Sequence, residues 1–175
     1  PYDALAAEAA QVEPGSNGAI WAPYLMGERT PHLDPDARAA LVGLTASHTR
    51  AYVVRAIMEG VAFSLRDSFE IFDEMSVPVK TVRLGGGGAR SPLWRQIQAD
   101  IYGQEVATVE AEEGAAYGVA MLAGVGVGVW NSVDAACEAV VRTRDVIQPN
   151  KEAKELLAHQ YQSYRAIYPA LKTIS

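Results

Sequence analysis

The 175-residue sequence predicts an α/β domain that is rich in helices and has few strands. Several long segments repeat apolar residues at spacings of three and four, which is the period of a helix packed on one face. Only a few short segments show the alternation or the apolar clusters of strands. The segments follow one another as helix, strand, helix, strand and helix, an order typical of the α/β class. No internal repeat or low-complexity tract interrupts them.

Composition narrows the possible partners and the cellular setting. Hydrophobic residues make up 49% of the chain, which is enough for a core and excludes a disordered or fibrous protein. The net charge is −6 and the basic residues are scattered, so no nucleic-acid partner is expected. No apolar run approaches the ~18 residues that span a bilayer, so no membrane partner is expected either. The single cysteine, Cys137, fits a reducing, cytoplasmic location.

The first part of the chain predicts short elements on both sides of a turn. Residues 3–12 suit a short helix, residues 13–18 form a turn cluster, and residues 19–25 are a strand candidate. Pro23 makes that strand irregular or places it at the edge of a sheet. Residues 42–45 predict a further short extended segment.

A long polar loop with two prolines is predicted at residues 26–38. Such loops are often functional, and two interpretations of this one stay open. Its charged side chains could contact a ligand or chelate a metal, or they could form a solvated loop with internal hydrogen bonds. A single histidine among loosely spaced acids matches no metal-ligand pattern. The side chains in question are Glu28, Arg29, His32, Asp34 and Asp36.

A long helix is predicted from Ser47 to about Met75. Gly60 lies in its middle at a cost of roughly 1 kcal/mol relative to alanine, which indicates close packing at that point. The predicted buried face consists of apolar residues three and four positions apart: Val54, Met58, Val61, Leu65, Phe69 and Phe72. The opposite side is predicted to carry the charged residues: Arg55, Glu59, Arg66, Asp67, Glu70, Asp73 and Glu74.

The second half of the chain predicts shorter elements. In chain order they are a strand at 81–84, a helix from Ser91 to about Tyr102, a strand at 105–110, a turn at 112–114, a small-residue helix at 115–123, a loop containing Gly124, Gly126 and Gly128, and a helix at 132–141. A terminal helix follows, with an apolar stripe predicted to be core or interface: Leu157, Tyr161, Tyr164, Tyr168 and Leu171.

The glycine turn, Gly85–Gly88, is the strongest functional signal in the sequence. Before it, Val82 and Leu84 alternate with polar residues as in a strand. After it, Ser91 and Pro92 are typical of a helix start. A ligand can approach a turn without Cβ atoms closely, and a helix N-terminus offers free N–H groups to an anion. The segment therefore predicts a nucleotide site.

Several kinds of site share this strand–turn–helix pattern. A Walker P-loop is excluded because no Gly-x-x-x-x-Gly-Lys-Ser/Thr occurs. A Rossmann site is disfavoured, since Ser91 stands at the third glycine position and no further βαβ units follow, although Glu110 suits a ribose-binding acid. A turn used only for tight packing and a nucleotide site in another α/β ATPase both stay open.

An ordered set of motifs resembles the C-terminal part of the FGGY carbohydrate kinases. The motifs are Gly27-Glu-Arg-Thr-Pro-His32, Asp34-Pro35, Gly43-Leu-Thr45, Arg55-Ala-x-x-Glu-Gly60, Gly86-Gly-Gly-Ala-Arg-Ser91-x-x-Trp94-Arg-Gln96 and Ala99-Asp-Ile101. Each motif alone is modest, but the ordered set is specific and covers nearly the whole chain. The motif sequences are most similar to those of the branch that acts on D-xylulose. Gluconate and glycerol kinases share the layout, and another kinase of the family, acting on gluconate, glycerol or ribulose, is the alternative.

The resemblance implies a two-domain kinase of the sugar kinase/Hsp70/actin type, built on ribonuclease H-like sheets. Residues 1–175 would form the C-terminal, nucleotide-binding domain portion, with ATP and Mg²⁺ in the cleft and the ketose bound mainly by an N-terminal domain that is absent here. Gly86 and Gly87 would lie near the α-phosphate and ribose, with Gly88 in the same turn. Arg90 and Ser91 would lie at the adenosine side.

The sequence lacks the parts of the family pattern that carry out phosphoryl transfer. The family's catalytic aspartate and the Gly-Thr-rich hairpin that holds the β- and γ-phosphates belong upstream of every matched motif, and neither occurs here. We therefore expect no catalytic residue and no metal ligand in this chain, and no kinase activity from it alone. Because the sequence begins at Pro1 within an alanine-rich segment, we expect a longer polypeptide. The alternative is a non-catalytic packing or dimerisation module, and a homodimer is possible.

Overall fold

A computed structural model describes residues 2–110 and 114–173 of the chain. The described part contains six α-helices: α1 Tyr2–Ala9, α2 Arg50–Glu74, α3 Pro92–Tyr102, α4 Gly114–Gly126, α5 Val133–Val140 and α6 Lys151–Leu171. It also contains five short strands: β1 Ile20–Ala22, β2 Ala40–Val42, β3 Val82–Leu84, β4 Val106–Val109 and β5 Thr143–Ile147. The predicted helix-rich α/β class with few strands is confirmed.

The strands form two separate small sheets among the described residues. Strands β1 and β2 pair antiparallel, with Trp21 opposite Leu41. The other sheet has the order β3-β4-β5, in which β3 and β4 are parallel and β5 returns antiparallel to β4. Helix α3 makes the crossover between the two parallel strands, which places the end of β3 and the start of α3 at one edge of the sheet.

Strand β5 was missed in the sequence prediction. Its residues, Thr143–Ile147, are exposed or half-buried and mostly polar, so they carry no alternating apolar signal. The strand is stabilised by its pairing with β4, although its own sequence pattern does not indicate a strand. An antiparallel third strand also counts against the Rossmann interpretation, in which successive βαβ units build a parallel sheet.

The main core lies between α2, α3, α6 and β1. Phe63 of α2 and Ile97 of α3 are fully buried there. Leu157, Tyr161 and Tyr164 of α6 are buried as well, and the other two stripe residues, Tyr168 and Leu171, pack partly buried against this core, so the predicted stripe is confirmed as core. Burial of a leucine, isoleucine or phenylalanine side chain stabilises a fold by about 1.5–3 kcal/mol.

The predicted faces of α2 are wrong for three charged residues. Arg55, Glu59 and Asp67 are only 5%, 1% and 5% exposed, whereas the apolar Leu65 and Phe72 are 44% and 41% exposed. Periodicity assigns charge to the solvent, but a buried charge is tolerated when it is paired and fully hydrogen-bonded. Arg55 and Glu59 pair with each other, and Asp67 accepts a hydrogen bond from the Tyr161 hydroxyl.

Glu59 and Arg55 form a buried ion pair one helical turn apart. The Arg55 Nε donates to Glu59 Oε1 at 2.8 Å, the backbone N–H of Gly15 donates to the same oxygen at 3.0 Å, and Ser16 Oγ donates to Oε2 at 2.8 Å. Arg55 Nη1 donates to the carbonyl of Val12 at 2.6 Å. The pair therefore ties the turn after α1 to the first half of α2.

The prediction of close packing at Gly60 is confirmed. A Cβ at that position would collide with the backbone carbonyl of Trp21 in β1. Glycine is therefore what allows α2 to lie directly against the β1–β2 sheet.

Helix α4 runs further than predicted. Gly124 and Gly126 belong to the helix rather than to a loop, and a Cβ on Gly124 would collide with the ring of Trp130. None of the α4 residues is buried, and Val119 and Leu122 are 67% and 60% exposed. The predicted turn at 112–114 lies largely outside the described residues. Among the residues described, no helix has both the length and the apolar composition needed to span a membrane.

Candidate nucleotide site

The strand–turn–helix predicted around Gly85–Gly88 is present. Leu84 is buried at the end of β3, and a short 3-10 turn over Gly87–Arg90 leads into α3. Ser91 caps the helix, since its Oγ accepts from the backbone N–H of Trp94 at 3.3 Å. Pro92 occupies the first helical position, where its missing N–H costs no hydrogen bond. The turn thus lies at the carboxyl end of a parallel strand, where α/β proteins bind ligands.

The structure accounts in different ways for the presence of glycine at the four positions of the turn. Gly86 has φ 73° and ψ −176°, a region that essentially only glycine adopts. A Cβ on Gly88 would lie 3.3 Å from the Trp94 ring, so this position is packed. Cβ atoms on Gly85 and Gly87 would meet no atom of the described residues within 4 Å, and neither residue has a positive φ. Among the residues that the structure describes, packing therefore explains Gly88 but not Gly85 or Gly87, and these two leave the turn open to a ligand.

A cavity of about 280 Å³ opens between the glycine turn and strands β4 and β5; we call it the glycine-turn cavity. Two arginines of its wall, Arg95 and Arg144, share a single carboxylate, that of Asp145. The polar and glycine residues of the wall are Gly85, Gly86, Arg90, Arg95, Thr108, Arg144 and Asp145. This charge balance favours an anion.

The structure brings together only some of the predicted site residues. Gly86 and Arg90 line the glycine-turn cavity, whereas Gly87, Gly88 and Ser91 belong to the same turn and helix start without lining it. The Ser91 hydroxyl oxygen already accepts the capping bond to α3.

Four polar residues of the cavity wall were not predicted: Arg95, Thr108, Arg144 and Asp145. Arg95 Nη1 donates to Asp145 Oδ2 at 2.8 Å, which joins the first turn of α3 to β5. The hydroxyl of Thr108, on β4, donates to the same carboxylate oxygen at 3.3 Å. Arg95 stood inside a recognised motif without an assigned role, and Asp145 gave no signal because its strand was not predicted.

The group expected at this cavity is a nucleotide with its magnesium ion, and the two parts fit differently. Arg95 Nε is buried without a hydrogen-bond partner among the described residues, and the open glycines leave room for phosphate oxygens. The turn therefore suits the nucleotide. No group of three or more His, Cys, Asp or Glu side chains in the described residues could hold a metal ion. The magnesium ion of a nucleotide is usually held by phosphate oxygens, water and only one or two protein carboxylates, so such a cluster is not required for it.

The loop at residues 26–38 is held by internal hydrogen bonds. The backbones of Glu28 and Asp34 pair through two bonds of 2.8 and 2.7 Å. Glu28 Oε1 accepts from the backbone N–H of Thr30 at 2.7 Å, and Asp34 Oδ1 accepts from that of Asp36 at 2.9 Å. These contacts support the interpretation of an internally hydrogen-bonded loop.

Helix α6 anchors the same loop. The Tyr168 hydroxyl donates to Asp34 Oδ2 at 2.8 Å, and this bond is the main cause that lowers the pKa of Asp34. The His32 ring stacks on the Tyr168 ring with 3.6 Å between centroids. Burial, together with the nearby Arg165, lowers the pKa of His32.

Two aspartates outside the loop serve to join elements. The Tyr161 hydroxyl donates to Asp67 Oδ1 at 2.5 Å, which links α6 to α2. Asp100 Oδ1 accepts from the backbone N–H of Asn150 at 2.7 Å, next to the N-terminus of α6. Burial raises the pKa of both carboxyls. Neither lines the glycine-turn cavity.

The fold, with a parallel β3–α3–β4 unit and a glycine turn at its edge, is that of the sugar kinase/Hsp70/actin type of ATPase domain. The solved xylulose kinase from Rhodospirillum rubrum is similar, with a TM-score of 0.86 and 31% identity, over 99% of this chain and 34% of that one. The profile of the FGGY family of carbohydrate kinases, C-terminal domain, matches residues 2–127. The chain therefore belongs to the FGGY family.

Curated relatives carry several kinase names. The chain is 40% identical over 161 residues to a xylulose kinase of Bacillus subtilis, covering 92% of this chain and 32% of the relative. It is 36% identical over 176 residues to a gluconokinase of the same organism, covering 100% of this chain and 33% of the relative. The chain thus spans about a third of the length of these relatives.

Proposed function

We propose that residues 1–175 are the nucleotide-binding, C-terminal domain portion of an ATP-dependent carbohydrate kinase. The sugar-binding domain and the catalytic aspartate would lie in polypeptide outside this sequence. D-xylulose, converted to D-xylulose 5-phosphate, is the favoured substrate because the motif wording and the xylulose kinase relatives agree. The gluconokinase relative keeps gluconate as the alternative sugar.

The lone Cys137 supports a cytoplasmic location.

One observation carries the nucleotide assignment. Gly85 and Gly87 stand in open space beside a positively charged cavity, and neither packing nor backbone conformation requires glycine there. Close approach of a phosphate is a physical reason for residues without side chains at these positions. In the proposed arrangement Gly86 and Gly87 face the α-phosphate and ribose, and Arg90 and Ser91 are at the adenosine side.

ATP, when bound with Mg²⁺, would supply the phosphoryl group that is transferred to a sugar hydroxyl. The chain's own residues would bind and orient the nucleotide through the turn N–H groups and neutralise its charge through arginine. Such positioning and charge stabilisation make up most of phosphoryl-transfer catalysis, but they need both walls of the site. Since this chain supplies one wall, we predict binding without turnover.

Calorimetric titration with ADP tests the proposal. We expect the chain to bind ADP, and we expect Gly87→Val to weaken binding at least ten-fold, because the new side chain would occupy the open space beside the turn through which a phosphate approaches it. Gly118→Val is the matched control, since Gly118 also stands in open space but in α4. No ADP binding by the unaltered chain, or equal binding by Gly87→Val, would contradict the proposal.

A packing or dimerisation module is the second candidate function, and one observation favours it. Helix α4 is strongly apolar and has no buried residue, so its exposed Val119 and Leu122 could dock on a second copy. Light scattering coupled to size exclusion separates the candidates. Twice the 18.8 kDa chain mass, lost in Leu122→Glu, together with no ADP binding would favour the module.

A further inference from the structure

Strand β5 has an irregularity where it borders the glycine-turn cavity. Ala107 of β4 pairs with Val146, but the next pair joins Val109 to Thr143. The step covers two residues in β4 and three in β5, so β5 carries one extra residue at this point. An extra residue in one strand is a β-bulge, and bulges commonly redirect side chains next to functional sites.

The bulge is stabilised by a side chain in place of the regular ladder. The backbone N–H of Asp145 donates to Thr108 Oγ1 at 3.2 Å, and the Thr108 hydroxyl returns a bond to Asp145 Oδ2 at 3.3 Å. Thr108 is only 4% exposed, so this reciprocal pair is held firmly in the sheet. The geometry turns the Asp145 carboxylate toward α3, where Arg95 donates to the same oxygen.

Asp145 is therefore fixed through one oxygen and available through the other. Oδ2 accepts from Arg95 and from Thr108, and Oδ1 accepts no hydrogen bond within the described residues. The Asp145 side chain is 49% exposed and lines the glycine-turn cavity. A carboxylate held in this way is a preorganised acceptor for a ligand that carries a donor.

We propose that Asp145 Oδ1 accepts a hydrogen bond from a ribose hydroxyl of the bound nucleotide. The inference rests on the proposed function, because it takes the nucleotide to be bound in the glycine-turn cavity. Asp145 would then be a ligand-contacting residue that fixes the orientation of the nucleotide, in addition to the turn itself.

Charge determines which part of the nucleotide faces Asp145. A carboxylate only accepts hydrogen bonds and repels phosphate, so the phosphates lie toward the turn N–H groups and the arginines. Ribose is the group that directly follows the α-phosphate, and it carries two adjacent hydroxyl donors. A cavity of about 280 Å³ is at the small end for ligands, so it holds the sugar next to the phosphate rather than the whole nucleotide.

The test compares ADP with 2′-deoxy-ADP and 3′-deoxy-ADP by calorimetric titration of the chain and of Asp145→Ala. We expect the unaltered chain to bind ADP about ten-fold more tightly than at least one deoxy analogue, the usual size for a hydrogen bond to a charged group. Asp145→Ala should bind ADP about ten-fold more weakly and should no longer distinguish the analogues. A purely structural link between α3 and β5 would weaken all three ligands equally and leave the ratio unchanged.

Two further variants keep the test decisive. Asp73→Ala removes an exposed carboxylate on α2 and should retain both affinity and discrimination. If Asp145→Ala does not fold, Asp145→Asn keeps the shape and removes the charge, and it should reduce the discrimination between ADP and the deoxy analogue. Unchanged discrimination in a folded Asp145 variant overturns this inference while ADP binding stands. No ADP binding by the unaltered chain overturns the proposed function as well.

Discussion

The buried ion pair of α2 allows a quantitative prediction for Glu59→Ala. Glu59 is 1% exposed and accepts hydrogen bonds from Arg55, Gly15 and Ser16. Truncation leaves the Arg55 guanidinium, itself 5% exposed, without its counter-charge. Removal of one partner of a buried pair costs about 3–5 kcal/mol. A typical domain has about 5–15 kcal/mol of stability in total, so the loss would be a large part of it.

Urea unfolding followed by circular dichroism measures this cost by linear extrapolation. Glu70→Ala is the matched control, since Glu70 is also paired four residues from an arginine on α2 but its side chain is 36% exposed. We expect the control to lose less than about 1 kcal/mol. Glu59→Gln keeps the shape and should lie between the two. A loss below about 1 kcal/mol in Glu59→Ala would refute the claim that the pair is a buried, obligatory link.

The remaining predictions concern packing and pH. Gly60→Ala should destabilise the fold by about 1–3 kcal/mol in urea unfolding, because the new Cβ collides with the Trp21 carbonyl. The control Gly118→Ala should be neutral or stabilising, since a Cβ there meets no described atom. Equal effects of the two variants would contradict the packing account. The pKa of His32 in the folded chain is lower than its ordinary value of 6.5, so the unfolded chain binds more protons at this residue as the pH falls below 6.5. The contribution of His32 to stability is therefore complete above pH 6.5 and is lost as the pH falls through the folded pKa. His32→Phe, which can keep the stack on Tyr168, should flatten this decline in unfolding measured from pH 7 to 5. An unchanged slope would show that another group causes it.

Local signals predicted the glycine turn and its helix well. The alternation up to Leu84, the capping Ser91 and Pro92 are short-range features, and each depends only on residues within one turn of it. The resemblance to the FGGY family came from the order of such motifs, and the family profile confirms it. The ligand roles of Gly86, Gly87, Gly88, Arg90 and Ser91 stay predictions, because no measurement of binding bears on them.

Long-range features escaped the sequence for identifiable reasons. The face of α2 was assigned from polarity, but Arg55 and Glu59 are buried because distant backbone groups satisfy them. Strand β5 has no pattern of its own and exists through pairing with β4. Asp145 lies in the cavity wall because it contacts Thr108 and Arg95, which are distant from it in the sequence. Charge and polarity alone do not reveal such partners.

Backbone amide NMR spectra of the ¹⁵N-labelled chain, recorded during titration with ADP, test the central claim most directly. Glycine amides resonate apart from most others, and the claim is that the N–H groups of Gly86 and Gly87 face the nucleotide. We predict saturable shifts of these two amides, while Gly15 and Gly43, which lie in other turns, keep their positions. Unshifted signals of the glycine turn at saturating ADP, or shifts confined to another region of the chain, would contradict the account.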